Sequence, residues 1–142
     1  MSNQIILKYK GLDSDGHFLR IFSDKFVNNN KKNCKLIING QEKPLHTHYD
    51  GEVKAKEIEI KLIINEEDIT DISFMFDNCT QLVSFINNPK LNTSNIKNME
   101  YIFKNCSRLS CLTGLSYWNT SNVINMKGMF YGCYTLSSLP DI

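Results

Sequence analysis

The chain has 142 residues, of which 42% are hydrophobic and 22% are charged, so its composition is that of a globular protein and excludes wholesale disorder. Its 16 basic residues nearly balance its 15 acidic residues, which gives a formal net charge of +1. The chain therefore lacks the excess of basic residues that is typical of a nucleic-acid-binding protein. No apolar run approaches the ~18 residues of a membrane-spanning helix.

Residues 1–66 are predicted to form a small, mostly β module. Alternating apolar residues predict strands at residues 5–9, 18–22 and 58–64, and a β-branched run predicts another at 35–38. That run ends in Asn39-Gly40, a favoured two-residue hairpin turn. One helical turn is predicted within residues 24–32. The first sixteen residues carry two lysines and no cleavage pattern, so a strand is predicted there and not a signal peptide.

Residues 67–142 repeat with a period of 27 residues. Several apolar columns keep their class through three copies, and internal repeats of this length are typical of stacked architectures. The columns are Ile72/Met99/Met126, Met75/Ile102/Met129, Phe76/Phe103/Phe130, Cys79/Cys106/Cys133 and Leu82/Leu109/Leu136.

Each copy is predicted to hold one short helix and one short strand. In the middle copy, apolar residues from Ile96 to Phe103 follow a helical spacing, Asn95 is a good N-cap and Asn105 a good stop. Helices are therefore predicted at about 69–77, 96–104 and 123–131, each followed by an L-x-x-[LF] strand. Such units bury their apolar faces only by stacking, which predicts an α/β solenoid capped by the 1–66 module.

The last copy carries a family resemblance. The segment Trp118-Asn119-Thr120-Ser121-Asn122-Val123-Ile124-Asn125-Met126-Lys127-Gly128-Met129-Phe130-Tyr131-Gly132-Cys133, followed by Leu136–Ile142, resembles the BspA-like leucine-rich repeat. This repeat of about 26 residues occurs in bacterial surface proteins and in large protist families. The resemblance implies a leucine-rich-repeat solenoid that binds proteins or mediates adhesion, without catalysis.

The cysteines and the histidines each have more than one interpretation. The column Cys79/Cys106/Cys133 is predicted to pack in the core, with a redox or metal role as the alternative. The odd number of cysteines, five, fits a reducing compartment. His46 and His48 are predicted to lie on an exposed hairpin. The alternatives are the start of a zinc site at His46-x-His48, with His17 the only other histidine in the sequence, or a nucleophile pair of Cys34 with one of these histidines.

Two surfaces are predicted to bind protein. On the concave strand face, the residues that flank the inward leucines are Ser84, Ile86, Cys111, Thr113, Ser138 and Pro140. The open C-terminal edge consists of Leu136, Leu139 and Ile142. A protein partner, a second copy of the chain or further residues of the chain are expected to cover it.

The predicted function is a non-catalytic interaction or scaffold module, such as a small subunit of a larger assembly. No catalytic or cofactor motif is found in the sequence, so no cofactor or metal is expected and an enzyme is not predicted. A cytoplasmic location is expected because no signal peptide is found. The alternative is a cell-surface or adhesion protein of the same repeat family.

Overall fold

A six-stranded mixed sheet forms the centre of the fold, seen in a computed structural model that describes residues 3–13, 18–87, 89 and 91–142. Within these residues the elements are β1 (Gln4–Lys10), β2 (Leu19–Arg20), α1 (Asp24–Asn30), β3 (Cys34–Ile38), β4 (Gln41–Pro44), β5 (His48–Tyr49), β6 (Glu57–Ile64), β7 (Leu82–Asn87), β8 (Cys111–Thr113) and a 3₁₀ turn at Leu115–Tyr117. The strand order is β4-β3-β6-β1-β7-β8, and β2 pairs with β5 in a separate sheet.

The strands predicted at residues 5–9, 35–38 and 58–64 are confirmed, and Leu19–Arg20 is a short part of the strand predicted at 18–22. In β6 the even-numbered residues from Ile58 to Ile64 are buried, as the alternation predicts. The predicted hairpin turn is also confirmed, because Asn39 and Gly40 have φ of 52° and 76° between β3 and β4. Both central residues of a type I′ turn need a positive φ.

The predicted helical turn near residue 24 is confirmed as α1. The side chain of Ser23 caps this helix by accepting a 3.1 Å hydrogen bond from the N–H of Phe26. The ring of Phe26 is buried and packs against that of Phe22, with 5.5 Å between the ring centroids. The helix therefore packs against the core through the ring of Phe26.

Strand β1 joins the two halves of the chain in one sheet. It pairs antiparallel with β6 on one side and with β7 on the other, so Leu7 lies between Ile60 and Phe85. All three side chains are fully buried. The apolar residues of both halves thus form one hydrophobic core on this face of the sheet.

The predicted α/β solenoid of helix–strand repeats is wrong: the fold is mostly β, and α1 is the one α-helix in the described residues. Residues 69–77, 96–104 and 123–131 form turns. In each segment two residues, four positions apart, adopt the left-handed backbone conformation. A left-handed residue breaks the α-helical hydrogen-bond pattern. These residues are Phe74 and Asn78 (φ 57° and 61°), Tyr101 and Asn105 (51° and 58°), and Gly128 and Gly132 (59° and 76°).

The copies of the repeat lie side by side as three stacked turns, residues 71–79, 98–106 and 125–133. Alternate backbone N–H groups of one turn donate to carbonyl groups of the next. Between the first and second turns the pairs are Ile72 to Asn98 (3.1 Å), Phe74 to Glu100 (2.8 Å), Phe76 to Ile102 (2.8 Å) and Asn78 to Lys104 (2.9 Å). Between the second and third they are Met99 to Asn125 (2.8 Å), Tyr101 to Lys127 (2.8 Å), Phe103 to Met129 (2.9 Å) and Asn105 to Tyr131 (2.7 Å).

The stacked turns bury a column of phenylalanine rings. Phe103 lies parallel to Phe76 and Phe130, with ring centroids 5.5 Å and 5.7 Å apart. The ring of Phe85 meets Phe103 edge-on at 5.3 Å, which ties this column to the sheet.

The cysteine column packs in the core at its first two positions, as predicted. Cys79 and Cys106 are fully buried, whereas Cys133 in the third turn is only half-buried. The thiol of Cys106 donates to the carbonyl of Phe76 at 3.2 Å, and that of Cys133 donates to Phe103 at 3.0 Å. Each thiol therefore helps to join its turn to the one before it.

Leu109 is expected to carry a large share of the stability of the middle copy. It is fully buried, and Leu109→Ala should lower the free energy of unfolding by about 2–5 kcal/mol. The matched control is Leu139→Ala, because Leu139 is 60% exposed and its truncation should change stability by less than about 0.5 kcal/mol. Denaturant titration compares the two variants, and equal losses would contradict this placement of Leu109.

Candidate interaction surface

Four of the predicted strand-face residues lie together on the outer face of the sheet. Ser84 pairs with Cys111 and Ile86 pairs with Thr113, in the parallel register of β7 and β8. This face is opposite the core, because Phe85 points the other way into the buried rings. Among the four, Ser84 is buried, Ile86 and Cys111 are half-buried, and Thr113 is exposed.

The same outer face continues across the whole sheet. One row of cross-strand neighbours runs from β4 to β8 through Glu42, Ile37, Lys61, Ile6, Ile86 and Thr113. The adjoining row is Glu59, Lys8, Ser84 and Cys111. Ion pairs neutralise part of the charge, since Lys8 lies 3.1 Å from Glu57 and Lys35 lies 2.6 Å from Glu42. The face is therefore a mixture of paired charges and half-buried isoleucines.

Cys111 is the one cysteine with a lowered pKa. Its thiol lies 3.2 Å from the hydroxyl of Thr113, and the hydrogen bonds of Thr113 and Ser84 to the thiolate lower the pKa of Cys111. Burial has the opposite effect on the other four thiols. It raises the pKa of Cys34 to about 12 and that of Cys133 to about 11, and it also raises the pKa of Cys79 and of Cys106.

The structure does not bring Ser138 and Pro140 onto this face. The strand expected in the third copy is not formed, and β8 pairs with β7 alone among the described residues. Ser138 is exposed and Pro140 is half-buried in an irregular segment. The predicted strand face therefore consists of two strands, β7 and β8, and not of three.

The third copy instead exposes a group of large apolar side chains, which we call the apolar end. Leu139 and Ile142 of the predicted C-terminal edge belong to it, whereas Leu136 is half-buried against the core. Six exposed residues make up this group: Ile124, Met126, Tyr131, Tyr134, Leu139 and Ile142. Ile124 and Tyr134 are the most accessible, at 86% and 85%.

Four members of the apolar end were missed by the sequence analysis, although the repeat contains a signal for three of them. Their columns are polar in the first two copies and apolar in the third. The columns are Thr70/Lys97/Ile124, Asp77/Lys104/Tyr131 and Thr80/Ser107/Tyr134. The fourth, Met126, belongs to a column that is buried at Ile72 and Met99 and is 37% exposed here, because no fourth turn covers it in the described structure.

The histidines take part in local hydrogen bonds. The ring of His46 bonds the carbonyl of Pro44 through Nδ1 at 2.7 Å, and that of His48 bonds the hydroxyl of Thr47 at 2.7 Å. His17 lies outside the described residues. Across the described part of the chain, no group of three or more His, Cys, Asp or Glu side chains is arranged to hold a metal ion. No helix in that part is long and apolar enough to cross a membrane.

Comparison with known proteins corrects the resemblance drawn from the sequence. The family model that matches covers residues 50–139 and is described as "Mycoplasma protein of unknown function, DUF285". The assignment to the BspA-like leucine-rich-repeat family is therefore wrong, since no model of that family matches and the fold is not a leucine-rich-repeat solenoid. No curated protein and no solved structure matches the chain.

Proposed function

The chain belongs to the DUF285 family of proteins of unknown function, and we propose that it is a non-catalytic protein-interaction module that binds a protein partner through its apolar end. The observation that carries this proposal is the change in three columns of the repeat. Positions that hold Thr, Lys, Asp or Ser in the first two copies hold Ile124, Tyr131 and Tyr134 in the third.

The chemistry of the apolar end favours a protein partner. Two of its exposed members, Tyr131 and Tyr134, are tyrosines, a residue type enriched at protein interfaces and at their energetic hot spots. All six side chains are exposed within residues 124–142, and large apolar side chains exposed on a folded protein favour an interaction site where they adjoin one another. A phosphate or nucleic-acid ligand requires a cluster of positive charge, and none of the six residues is charged.

A non-catalytic role is supported by the state of the thiols. Burial raises the pKa of Cys34, Cys79 and Cys106, and a protonated buried thiol is a poor nucleophile. Cys111 is accessible, but the groups that hydrogen-bond to it are the hydroxyls of Thr113 and Ser84. A hydroxyl is too weak a base to act as the proton acceptor of a catalytic pair.

A cytoplasmic location is part of the proposal. It is supported by the five cysteines, all of which are free thiols in the folded chain. The alternative of a surface or adhesion protein predicts that protease added to intact cells removes the tagged chain. We expect the chain to survive such treatment and to be cut only after lysis.

The interaction is tested with charge substitutions on the apolar end. We expect a partner to co-purify with the wild-type tagged chain and to be lost from the double variant Ile124→Lys/Tyr134→Lys. Both side chains are solvent-exposed, so the double variant should fold normally. The matched control is Phe18→Lys, because Phe18 is 82% exposed in the other half of the chain.

Quantitative mass spectrometry of the purified complexes is the measurement. A protein recovered equally with all three chains contradicts binding through the apolar end. If the wild-type chain instead recovers further copies of itself, light scattering gives the stoichiometry, and the partner is a second copy. Loss of binding only in the Phe18→Lys variant would place the interaction on the N-terminal half.

A further inference from the structure

One isoleucine from each of the four central strands lies on the outer face of the sheet, where a solvated sheet face normally carries polar residues. All four side chains are half-buried, and none belongs to the hydrophobic core or packs against it. Ile6 pairs directly with Ile86, and Ile63 lies diagonal to Ile6 on one side and to Ile37 on the other. These residues therefore form one continuous apolar strip, the isoleucine band: Ile6, Ile37, Ile63 and Ile86.

The charges beside the isoleucine band are sorted by strand. On the outer face, β6 carries Glu57 and Glu59, and β1 carries Lys10 and Lys8 in the directly opposite positions. An acidic column and a basic column thus run side by side along the middle of the sheet, because β6 and β1 are the third and fourth of its six strands. A twofold rotation about a line along the strands, between β6 and β1, exchanges the two columns.

We propose that the outer face of the sheet binds a second copy of this chain in a twofold-symmetric dimer, with the axis along the strands between β1 and β6. In this arrangement each β6 residue faces the β1 residue of the other copy with which it pairs in its own chain. Glu57 therefore faces Lys10 and Glu59 faces Lys8, and each contact occurs twice. No two charges of like sign face each other in these columns.

The isoleucine band fits the same arrangement. Strands β3 and β7 flank β6 and β1, so Ile37 faces Ile86 of the other copy in the row that also contains Lys61 and Ile6. Lys61 faces Ile6 of the other copy, and the hydrocarbon stem of a lysine covers apolar side chains. Two twisted sheets pack face to face with their strands nearly aligned, as this axis requires. The apolar contacts supply the stability of the dimer, and the charges fix its orientation.

The order of the charges favours a second copy over other occupants. A segment with one sign of charge meets like charge on one of the two columns, whereas a second copy presents both columns in exchanged order. The interface is separate from the apolar end, so this proposal does not rest on the proposed function. Six strands at a spacing of about 4.8 Å span about 24 Å, which is at the small end for a dimer interface, and we expect a dissociation constant on the order of 10–100 µM.

Sedimentation equilibrium of the full chain measures the dimer, at concentrations from about 10 µM to about 1 mM. The variant Ile124→Lys/Tyr134→Lys is measured in parallel, so that any contact through the apolar end is removed. We expect the same dissociation constant for both chains. A chain that stays monomeric at about 1 mM overturns the proposal. A dimer that is lost in Ile124→Lys/Tyr134→Lys also overturns it and leaves the proposed function in place.

Charge variants test which columns face each other. Glu57→Lys/Glu59→Lys makes both columns basic, and Lys8→Glu/Lys10→Glu makes both acidic. Each variant alone should dimerise at least about tenfold more weakly than the wild-type chain, because like charges then face each other. An equimolar mixture of the two variants should recover the dimer, since every lysine again faces a glutamate. An unchanged dimer in either variant, or no recovery in the mixture, overturns the proposal.

The matched control is the exchanged variant Lys8→Glu/Glu59→Lys. One lysine and one glutamate change places, so the charges remain complementary both within the chain and across the axis. We expect this variant to dimerise as the wild-type chain does, with circular dichroism as the check on its fold. An axis across the strands could instead set residue 59 against Lys61, and the exchanged variant would then repel itself. Loss of its dimer with the fold intact therefore overturns the proposed orientation.

A dilution series of the wild-type chain tests the interface without any substitution. The methyl NMR signals of the isoleucine band should shift between dilute and concentrated samples, with the dissociation constant found by sedimentation. In the same spectra Ile124, which is 86% exposed, reports on the apolar end, and its signal should stay constant. Shifts confined to Ile124 overturn the proposal, because self-association then occurs through the apolar end.

Discussion

Phe103→Ala is expected to lower the free energy of unfolding by about 3–5 kcal/mol. Its ring is fully buried between Phe76 and Phe130 and also meets the edge of Phe85. Truncation therefore removes one large side chain from three aromatic contacts and leaves a cavity at the junction of the stacked turns and the sheet. Chemical denaturation monitored by circular dichroism measures the loss.

Phe130→Ala is the matched control for this substitution. Phe130 stacks on Phe103 through one face, and the side chain is only half-buried because no fourth turn covers the other face in the described structure. Its truncation should lower the free energy of unfolding by about 1 kcal/mol, roughly half of the transfer free energy of a fully buried Phe side chain. Equal losses in the two variants would contradict the central position of Phe103 in the column.

Thiol labelling is expected to separate the five cysteines by orders of magnitude in rate. Hydrogen bonds from Thr113 and Ser84 lower the pKa of Cys111 below its usual value of 9.0, whereas burial raises the pKa of Cys133 to about 11. At neutral pH this difference gives Cys111 at least about a hundredfold more thiolate. The greater intrinsic nucleophilicity of the Cys133 thiolate recovers about tenfold, so Cys111 should react at least about tenfold faster.

The buried thiols should react only when the fold opens. Cys79 and Cys106 are fully buried and Cys34 nearly so, and a global opening of 5 kcal/mol or more slows labelling by at least about a thousandfold. Mass spectrometry after timed quenching assigns each site, and Cys111→Ser should remove the fast phase. The Cys111 rate should rise with pH and level off below the pH at which Cys133 does. Native labelling of Cys106 at the Cys111 rate would contradict its burial.

Strands are predictable from the sequence where side-chain alternation alone decides the structure. In β6, Ile58 and Ile60 face the core while Glu57 and Glu59 face solvent, and a period of two has one structural meaning. Asn39-Gly40 was equally informative, because few residue types adopt the positive φ of both turn positions.

The predicted helices are wrong because the same apolar spacing fits two different backbone structures. Ile96, Met99, Ile102 and Phe103 are all buried, as a helical stripe requires, but a series of tight turns buries the same positions. The deciding feature is the positive φ of Phe74 and Tyr101, at 57° and 51°. Bulky aromatic residues rarely adopt this conformation, so no sequence propensity predicts it. The rings of these two residues contact each other in a tilted arrangement, with 5.2 Å between their centroids.

The candidate site was predictable in part. Ser84, Ile86, Cys111 and Thr113 were placed on one face from the L-x-x-[LF] pattern, and the structure puts them there as two neighbouring pairs. Ser138 and Pro140 follow the same pattern without forming a strand, because strand pairing depends on a neighbour and not on the local sequence alone. A search for columns that stay apolar in all three copies does not find Ile124, Tyr131 and Tyr134. They are found by a search for columns that change from polar to apolar in the third copy.

The central place of β1 in the sheet has a consequence for the protein as it is made on the ribosome. Ile5 pairs with Leu62 on one side and with Asn87 on the other. At about 5–20 residues per second, on the order of 4–16 s pass between the synthesis of Ile5 and that of Asn87. During that interval the apolar strand Gln4–Lys10 has no β7 to pair with, although β3 and β4 form a hairpin from adjacent residues. Strand β1 can therefore pair with β6 first, and its pairing on the β7 side is completed only after Asn87 has been made.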